Sequence, residues 1–445
     1  MQKDLFLGID VGTSKIAAVI ADGEGRVEAA VSRAHGAGMP TPDGRAEQDA
    51  ATLLDTTWAV VRDLPEALRR RAQGIGVTGQ MHGVVLLDDE NAPLTPLITW
   101  QDGRCLEDET FLDALHEATG HRLYTGYGLA TLAWLHRHQQ RPAEAVAAST
   151  IHDLVVAHLC DLPRPVTDPS DAASWGLFDL TSSSWDAAAV ETAGLSLSIL
   201  PVIHPFGSVA GSIDHKKAEQ LGLPEALPVR VAIGDLQASL LATIHDPDHD
   251  VALNLGTGGQ ATVVTAEAID AGAMRPTCKY WPYPGPRTAI VAASLSGGAA
   301  WAWLVDSVVA WLDDLHIEGP SREAIFDNIN ALGLDAPGEL VVHSHFLGER
   351  HDPSLRGSIH DINLSNFSIG ALARGLARSI VQNLHAMLPP EALAHRTRVV
   401  GSGNALRRMP LLQRMAEDVF GLPLMLVEGQ EEAATGAALL AAGRV

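Results

Sequence analysis

LFLGIDVGTSKIAAVI, residues 5–20, carries two runs rich in Ile, Val and Leu on either side of Asp10-Val11-Gly12-Thr13-Ser14-Lys15. Apolar runs of that composition around a Gly-Thr-Ser tip predict a β-hairpin. Gly12 suits a turn that needs positive φ or a close approach of backbone to ligand. Thr13, Ser14 and Lys15 add two hydroxyls, backbone N–H groups and one cation. Such a tip fits a phosphate chain, and the Asp10 carboxylate at its base fits a hydrated Mg²⁺. Alone, the stretch reads more readily as an ordinary hairpin with a glycine turn.

Residues 254–263, NLGTGGQATV, change that balance. Aligned on residues 10–19, DVGTSKIAAV, both fit [DN]-[VL]-G-T-x-x-x-A-x-V, and both follow an apolar strand (Leu5–Ile9; Val251–Leu253). No short-period repeat accompanies this echo. Two similar hairpins predict two similar domains facing each other, with a nucleotide's phosphates between them.

The 445 residues exceed what one hydrophobic core usually holds, so two domains are expected. Lys and Arg number 31 against 54 Asp and Glu, a net charge of −23. That charge argues against partners such as nucleic acid or an anionic membrane. A phosphate site must therefore draw on backbone donors, Mg²⁺ and a few local cations. Cys105, Cys160 and Cys278 form no CxxC pair, which fits a reduced, cytoplasmic protein without structural zinc or disulfides. MQKDLFLGID has no long apolar segment of a signal peptide, and no apolar run reaches the ~18 residues of a membrane span.

Outward from the hairpin, Asp22–Gly25 reads as a turn, Arg26–Ser32 as a third strand and His35–Arg45 as loop. Leu53, Leu54, Thr57, Val60, Val61 and Leu64 share one face of a helix over Ala50–Leu64. Ile75–Thr78 and Val84–Leu87 read as strands, and Thr99–Asp186 as mostly helical. Val229–Ile233 reads as one buried strand ending in Gly234-Asp235, with a helix from Leu236. HDPDHD, residues 245–250, reads as a solvated linker more readily than as a metal site. Gly298–Leu312 and Ile369–Leu388 are predicted helices. Arg398–Val400 is a strand entering Gly401-Ser402-Gly403-Asn404, followed by a helix through Phe420. Strand, glycine turn and helix are a common nucleotide-binding arrangement. Glu431–Ala442 is an Ala-rich helix able to pack closely on a neighbour.

Asp235 falls at the carboxyl end of a strand, where α/β proteins place catalytic groups. Its carboxylate reads either as a base accepting a proton from an attacking hydroxyl or as a helix N-cap. Gln80, Met81 and His82 follow a strand, and a Gln-His pair suits a polyhydroxylated ligand, though a hydrogen-bonded core His fits as well. Trp100, Asp102 and Arg104 combine an aromatic face, a carboxylate and a guanidinium, as a sugar site or a surface ion pair would.

With these segments in place, the chain resembles the FGGY family of carbohydrate kinases over essentially its full length. That family is similar to actin, hexokinase and the heat-shock ATPases: α/β, with two ribonuclease-H-like domains flanking a cleft. The resemblance implies domains 1–247 and 248–445. GIDVGTSK (Gly8–Lys15) resembles the first phosphate motif, which implies ATP contacts at Gly12, Thr13, Ser14 and Lys15 and a metal near Asp10. GQMHG (Gly79–Gly83) and TWQDGR (Thr99–Arg104) resemble sugar-contacting segments, and GDLQAS (Gly234–Ser239) the segment of the catalytic base, Asp235, also placed near Mg²⁺. NLGTGG implies ATP contacts at Gly256, Thr257 and Gly258, and GSGN an adenosine loop at Gly401, Ser402, Gly403 and Asn404. That loop departs from the family with Ser402 in place of glycine and about two extra residues before Pro410.

The activity implied is ATP-dependent phosphorylation of a ketose at a terminal primary hydroxyl. TIHDLVVAHLCDLPRP (Thr150–Pro165), DAASWGLFD (Asp171–Asp179), LGERHDP (347–353) and VQNLHAMLP (Val381–Pro389) resemble members acting on a seven-carbon ketose. The alternative is a xylulokinase or another pentulose kinase of the family, but the xylulokinases usually carry a lysine where YGLATLAW (Tyr127–Trp134) has Thr131. A sugar sensor would usually bring a basic DNA-binding module, and a non-catalytic actin-like ATPase needs neither GQMHG nor WQDGR. A homodimer is left open.

Overall fold

The computed structural model describes residues 3–266, 269, 274–337, 340–349, 352–427, 429 and 431–444. Positions 350 and 351 of the LGERHDP string lie outside the described residues. The chain divides into two compact units: Met1–Ala242 with Trp281–Pro286 and Gly429–Val445, and Thr243–Tyr280 with Arg287–Glu428. Two segments that lie beyond residue 247 in sequence therefore belong to the first unit.

In the first unit, strands run in the order Val209–Ser212, Pro228–Arg230, Ala72–Gly79, Leu5–Val11, Lys15–Asp22, Val27–Ala34, and Ile233–Gly234 also pairs with Ala72–Gly79. The period of two sorts the hairpin's side chains. Leu5, Leu7, Ile9, Val11, Ile16, Ala18 and Ile20 enter a core with Leu53, Leu54, Val60 and Val61 of the helix Ala50–Asp63. Ala17, Val19 and Ala21 face the other way, against Ala434 and Ala438 of the helix Glu432–Ala441. That helix lies directly on the sheet backbone: a Cβ on Gly8 or Gly76 would stand 1.9 Å from the carbonyl oxygen of Ala434 or Ala437. Only glycine permits this approach.

Leu5–Val11 and Ile233–Gly234 flank Ala72–Gly79 in parallel, with Asp10 and Ile233 both opposite Thr78 and Val11 and Gly234 both opposite Gly79. The single strand expected over Val229–Ile233 is two. Val229 pairs with Ile75 and Ile233 with Thr78, so four steps on one strand face three on the other, while the Val231 N–H goes to Ser208. This bulge re-aims the chain just before Asp235. The largely helical reading of 99–186 becomes the helices Phe111–Thr119, Gly128–Arg137, Ile151–Cys160 and Pro169–Trp175 with short paired strands between them.

The second unit's sheet runs Arg287–Ser294, Gly259–Thr265, Asp250–Leu255, Arg398–Ser402, Leu424–Leu426. Val251, Leu253, Leu255, Ala261 and Val263 meet Trp301, Leu304 and Val305 of the helix Gly298–Asp314 and Leu376, Ile380 and Leu384 of Ile369–Met387. The helix expected to run from Asn404 through Phe420 is broken into Asn404–Arg408 and Pro410–Phe420. Proline cannot continue it, and Met409 is extended at φ −121°.

The echo between the hairpins is partly corrected. Val11 pairs with Ile16, but Leu255 pairs with Gly259, so the second turn is one residue shorter. A one-residue shift reverses the faces of everything that follows. Ala17 and Val19 accordingly lie on the face away from the main core, whereas Ala261 and Val263 lie in theirs. The likeness is structural through Gly-Thr, and the shared A-x-V beyond it is coincidental.

Candidate active site

Three neighbouring strand ends of the first unit carry Asp10, Gln80 and Asp235, the location α/β sheets use for chemistry. Asp235 opens the helix Asp235–Thr243. Burial pushes its carboxyl up to about 6, opposed by nearby His152 and the Leu236 N–H. A base with that value is ionised at neutral pH yet basic enough to take a hydroxyl proton during transfer. Asp10 is pushed up to about 8 by burial and by the charges of Asp235 and Glu431, with Lys15 opposing. Its Oδ1 is buried without a hydrogen-bond partner. A carboxylate pair short of positive charge, with one orphaned oxygen, fits a divalent cation by the chemistry of its donors.

The residues read as sugar contacts divide. Gln80 is buried, its amide donating to Gln48 at 2.8 Å and its oxygen accepting from Thr13 at 3.4 Å. The Met81 thioether rests against Gly234, where a Cβ would meet Sδ at 2.8 Å. His82 has left-handed backbone, φ 72°, with its ring stacked on Tyr127 at 4.7 Å and edge-on to Trp281 at 5.8 Å. Trp100 is 40% exposed and donates its indole N–H to the Thr13 hydroxyl at 2.9 Å.

Asp102 and Arg104 form no open sugar contact. They are 0% and 3% exposed. Both Asp102 oxygens accept from Arg104, Oδ2 also accepts from the Ala46 N–H, and Arg104 also reaches Glu47. A buried pair whose bonds are consumed internally shapes the loop under Trp100 and is not directed to a ligand.

The first turn is bonded to its own unit. The Thr13 hydroxyl is tied to Trp100 and Gln80, and its carbonyl accepts from Gln48 and lies 2.9 Å from His35 Nε2. Lys15 Nζ pairs with Glu431 at 2.5 Å. Gly12 and Ser14 complete the turn, with Ser14 exposed.

In the second unit, the Gly256 and Thr257 carbonyls accept from the Gly298 and Ala299 N–H groups, which fixes the turn on the start of the helix Gly298–Asp314. Gly258 closes the turn by accepting from the Gly256 N–H. The pairing of Asn254 with Ser402 sets Gly401–Asn404 beside that turn. Gly403, at φ 89°, caps the helix Asn404–Arg408.

Sequence reasoning missed several first-unit residues. Trp281 sits in KYWPYP, which carries no motif, and Tyr127 enters the sequence reading only as the first residue of YGLATLAW. His152 and Asp171, both wholly buried, lie 2.7 Å apart, Nε2 to Oδ2. Burial lowers His152 and pushes Asp153, Asp168 and Asp171 well above the usual carboxylate range. The readable signal was polar residues inside apolar helical segments, TIHD and TDPSD.

Residues 5–242 match the N-terminal domain of the FGGY family of carbohydrate kinases, and residues 251–444 match its C-terminal domain. A sedoheptulokinase of Homo sapiens is 36% identical over 98% of this chain and 97% of its own length. A xylulose kinase of Staphylococcus xylosus is 24% identical over 98% of this chain and 90% of its own. The crystal structure of a xylulose kinase from Rhodospirillum rubrum superposes with a TM-score of 0.84 at 28% identity, covering 98% of this chain and 89% of that one.

Proposed function

The chain belongs to the FGGY family of carbohydrate kinases, and on that footing we propose that it phosphorylates sedoheptulose at the terminal primary hydroxyl, giving sedoheptulose 7-phosphate. As a phosphotransferase of this family it draws the phosphoryl group from ATP. The observation that carries the chemical reading is Asp235 at a strand end beside Asp10, with an aromatic wall of His82, Tyr127 and Trp281 in the same unit. The near-full-length likeness to the human sedoheptulokinase supports the seven-carbon substrate.

In the proposed mechanism, His82, Trp281 and Trp100 hold the ketose by ring contact and hydrogen bonds. Asp235 accepts the proton of the terminal hydroxyl as that hydroxyl's oxygen bonds to the γ-phosphorus of ATP and the bond from that phosphorus to the β–γ bridging oxygen breaks, releasing ADP. Gly12, Thr13, Ser14 and Lys15, with Gly256, Thr257 and Gly258, are the proposed phosphate contacts. For Thr13 and Lys15, that role means exchanging or sharing the partners described above. Gly401, Ser402, Gly403 and Asn404 are assigned to the adenosine. Asp10 and Asp235 would hold Mg²⁺, which when bound neutralises phosphate charge. A cytoplasmic location is proposed on the three free cysteines and the absence, among the described residues, of a helix long and apolar enough to cross a membrane.

A pentulose substrate is the second reading, favoured by the superposition on a xylulose kinase. Against a xylulokinase in particular, Thr131 is buried in the helix Gly128–Arg137, at the position where xylulokinases usually carry lysine. ADP release with sedoheptulose, D-xylulose, D-ribulose and glycerol as acceptors decides. The highest kcat/KM is expected for sedoheptulose. A tenfold preference for D-xylulose would install the second reading, and no turnover with any acceptor would defeat both.

A further inference from the structure

We propose that the short helix Pro169–Trp175 is the positioning element of this active site, with Ser170 the positioning residue for Asp235 and Ser174 that for His82. The proposal rests on the kinase reading above. Every residue of the helix is buried. Asp168 caps it: one carboxylate oxygen accepts from the Ser170 N–H at 2.9 Å, the Asp171 N–H at 3.1 Å and the Ser170 hydroxyl at 2.6 Å. With its hydrogen committed to Asp168, the Ser170 oxygen is left to accept, and it takes the Gly234 N–H at 2.9 Å.

Gly234 immediately precedes Asp235 and lies just past the bulge, where the ladder has slipped by one residue. Sheet pairing there is two residues long. The bond from Ser170 therefore supplies an anchor that the ladder alone does not. One turn further on, Ser174 serves the ketose pocket. Its hydroxyl accepts the His82 N–H at 3.1 Å, and its carbonyl lies 2.6 Å from His82 Nδ1. Spacing of four residues puts Ser170 and Ser174 on one face of the helix. Asp171 and Trp175 use the neighbouring face, to His152 at 2.7 Å and to the Gly83 carbonyl at 3.2 Å. One helix thus ties the segment of the base and the segment of the sugar to a common frame, and separate substitutions should loosen them separately.

The test is a steady-state comparison of the full-length wild type, Ser170→Ala and Ser174→Ala, with melting curves for each. Ser170→Ala should lower kcat by about tenfold or more while the KM for ketose stays within threefold, because a misplaced base slows the chemical step. Ser174→Ala should raise the ketose KM by about fivefold or more with kcat within threefold. A merely structural helix would shift both parameters together in both variants, and that result overturns the proposal, as does a Ser170→Ala enzyme with wild-type kcat. If Ser170→Ala does not fold, Ser170→Cys takes its place: similar in shape but a poorer acceptor, it should show the same fall in kcat, and wild-type turnover would overturn the proposal. A wild type that phosphorylates no ketose would instead defeat the underlying reading.

Discussion

At the scale of single residues, the candidate site is defined by which side chains are committed to internal bonds and which present a surface to a substrate. Asp102 and Arg104 spend their bonding capacity on each other, Glu47 and Ala46, so they serve the loop. Tyr127 and Trp281, by contrast, present rings beside His82. Trp281→Ala should therefore raise the ketose KM about tenfold or more and leave the KM for ATP within twofold, since aromatic anchors dominate such contacts. Initial rates against each substrate check this, and a change confined to ATP would reverse the assignment. His82→Ala should act in the same direction. Burial pushes the Asp235 carboxyl up to about 6, so kcat/KM should fall as pH drops below that value and the base becomes protonated. A rate constant flat from pH 7 to 5 would contradict the assignment.

At the scale of elements, the hairpins, the parallel strands and the long amphipathic helices were legible because period-two and period-3.6 patterns are local. The exchange of faces after the second turn was not, because loop length is invisible until pairing partners are known. The helix Pro169–Trp175 escaped for a different reason. Its residues act through buried hydrogen bonds to segments far away in sequence, which leave no periodic trace. The close seat of Glu432–Ala441 on the sheet yields a prediction about packing. Gly76→Ala places a methyl carbon 1.9 Å from the Ala437 carbonyl oxygen, so the helix must lift or the strand shift. Overpacking of that kind costs about 1–3 kcal/mol. Urea unfolding should show a lowered midpoint, and an unchanged midpoint would mean that the helix does not sit on the backbone as described.

At the scale of the whole molecule, two family domains and a buried acidic cluster set how the protein responds to pH. Asp10 is raised to about 8, so the folded chain binds this proton more tightly than the unfolded chain does. Stability from this source is complete at low pH and is lost as pH rises toward 8. The lowered His152 acts in the opposite sense but only below its ordinary value near 6.5. Between pH 7 and 8.5 the ligand-free protein should therefore melt at progressively lower temperature, with the raised Asp153, Asp168 and Asp171 acting in the same sense, and Asp10→Asn should make that slope shallower. A melting temperature that rises over the interval would contradict it. The broad family and the likeness to kinases were readable from short strings, whereas the division of labour within them required the fold. The account stands most directly on one comparison: turnover of sedoheptulose with ATP by wild type and Asp235→Asn, with ketose and nucleotide affinities measured alongside. The expected result is a loss in kcat of at least ~10²-fold with both affinities within about threefold of wild type. Turnover by Asp235→Asn within threefold of wild type would contradict it.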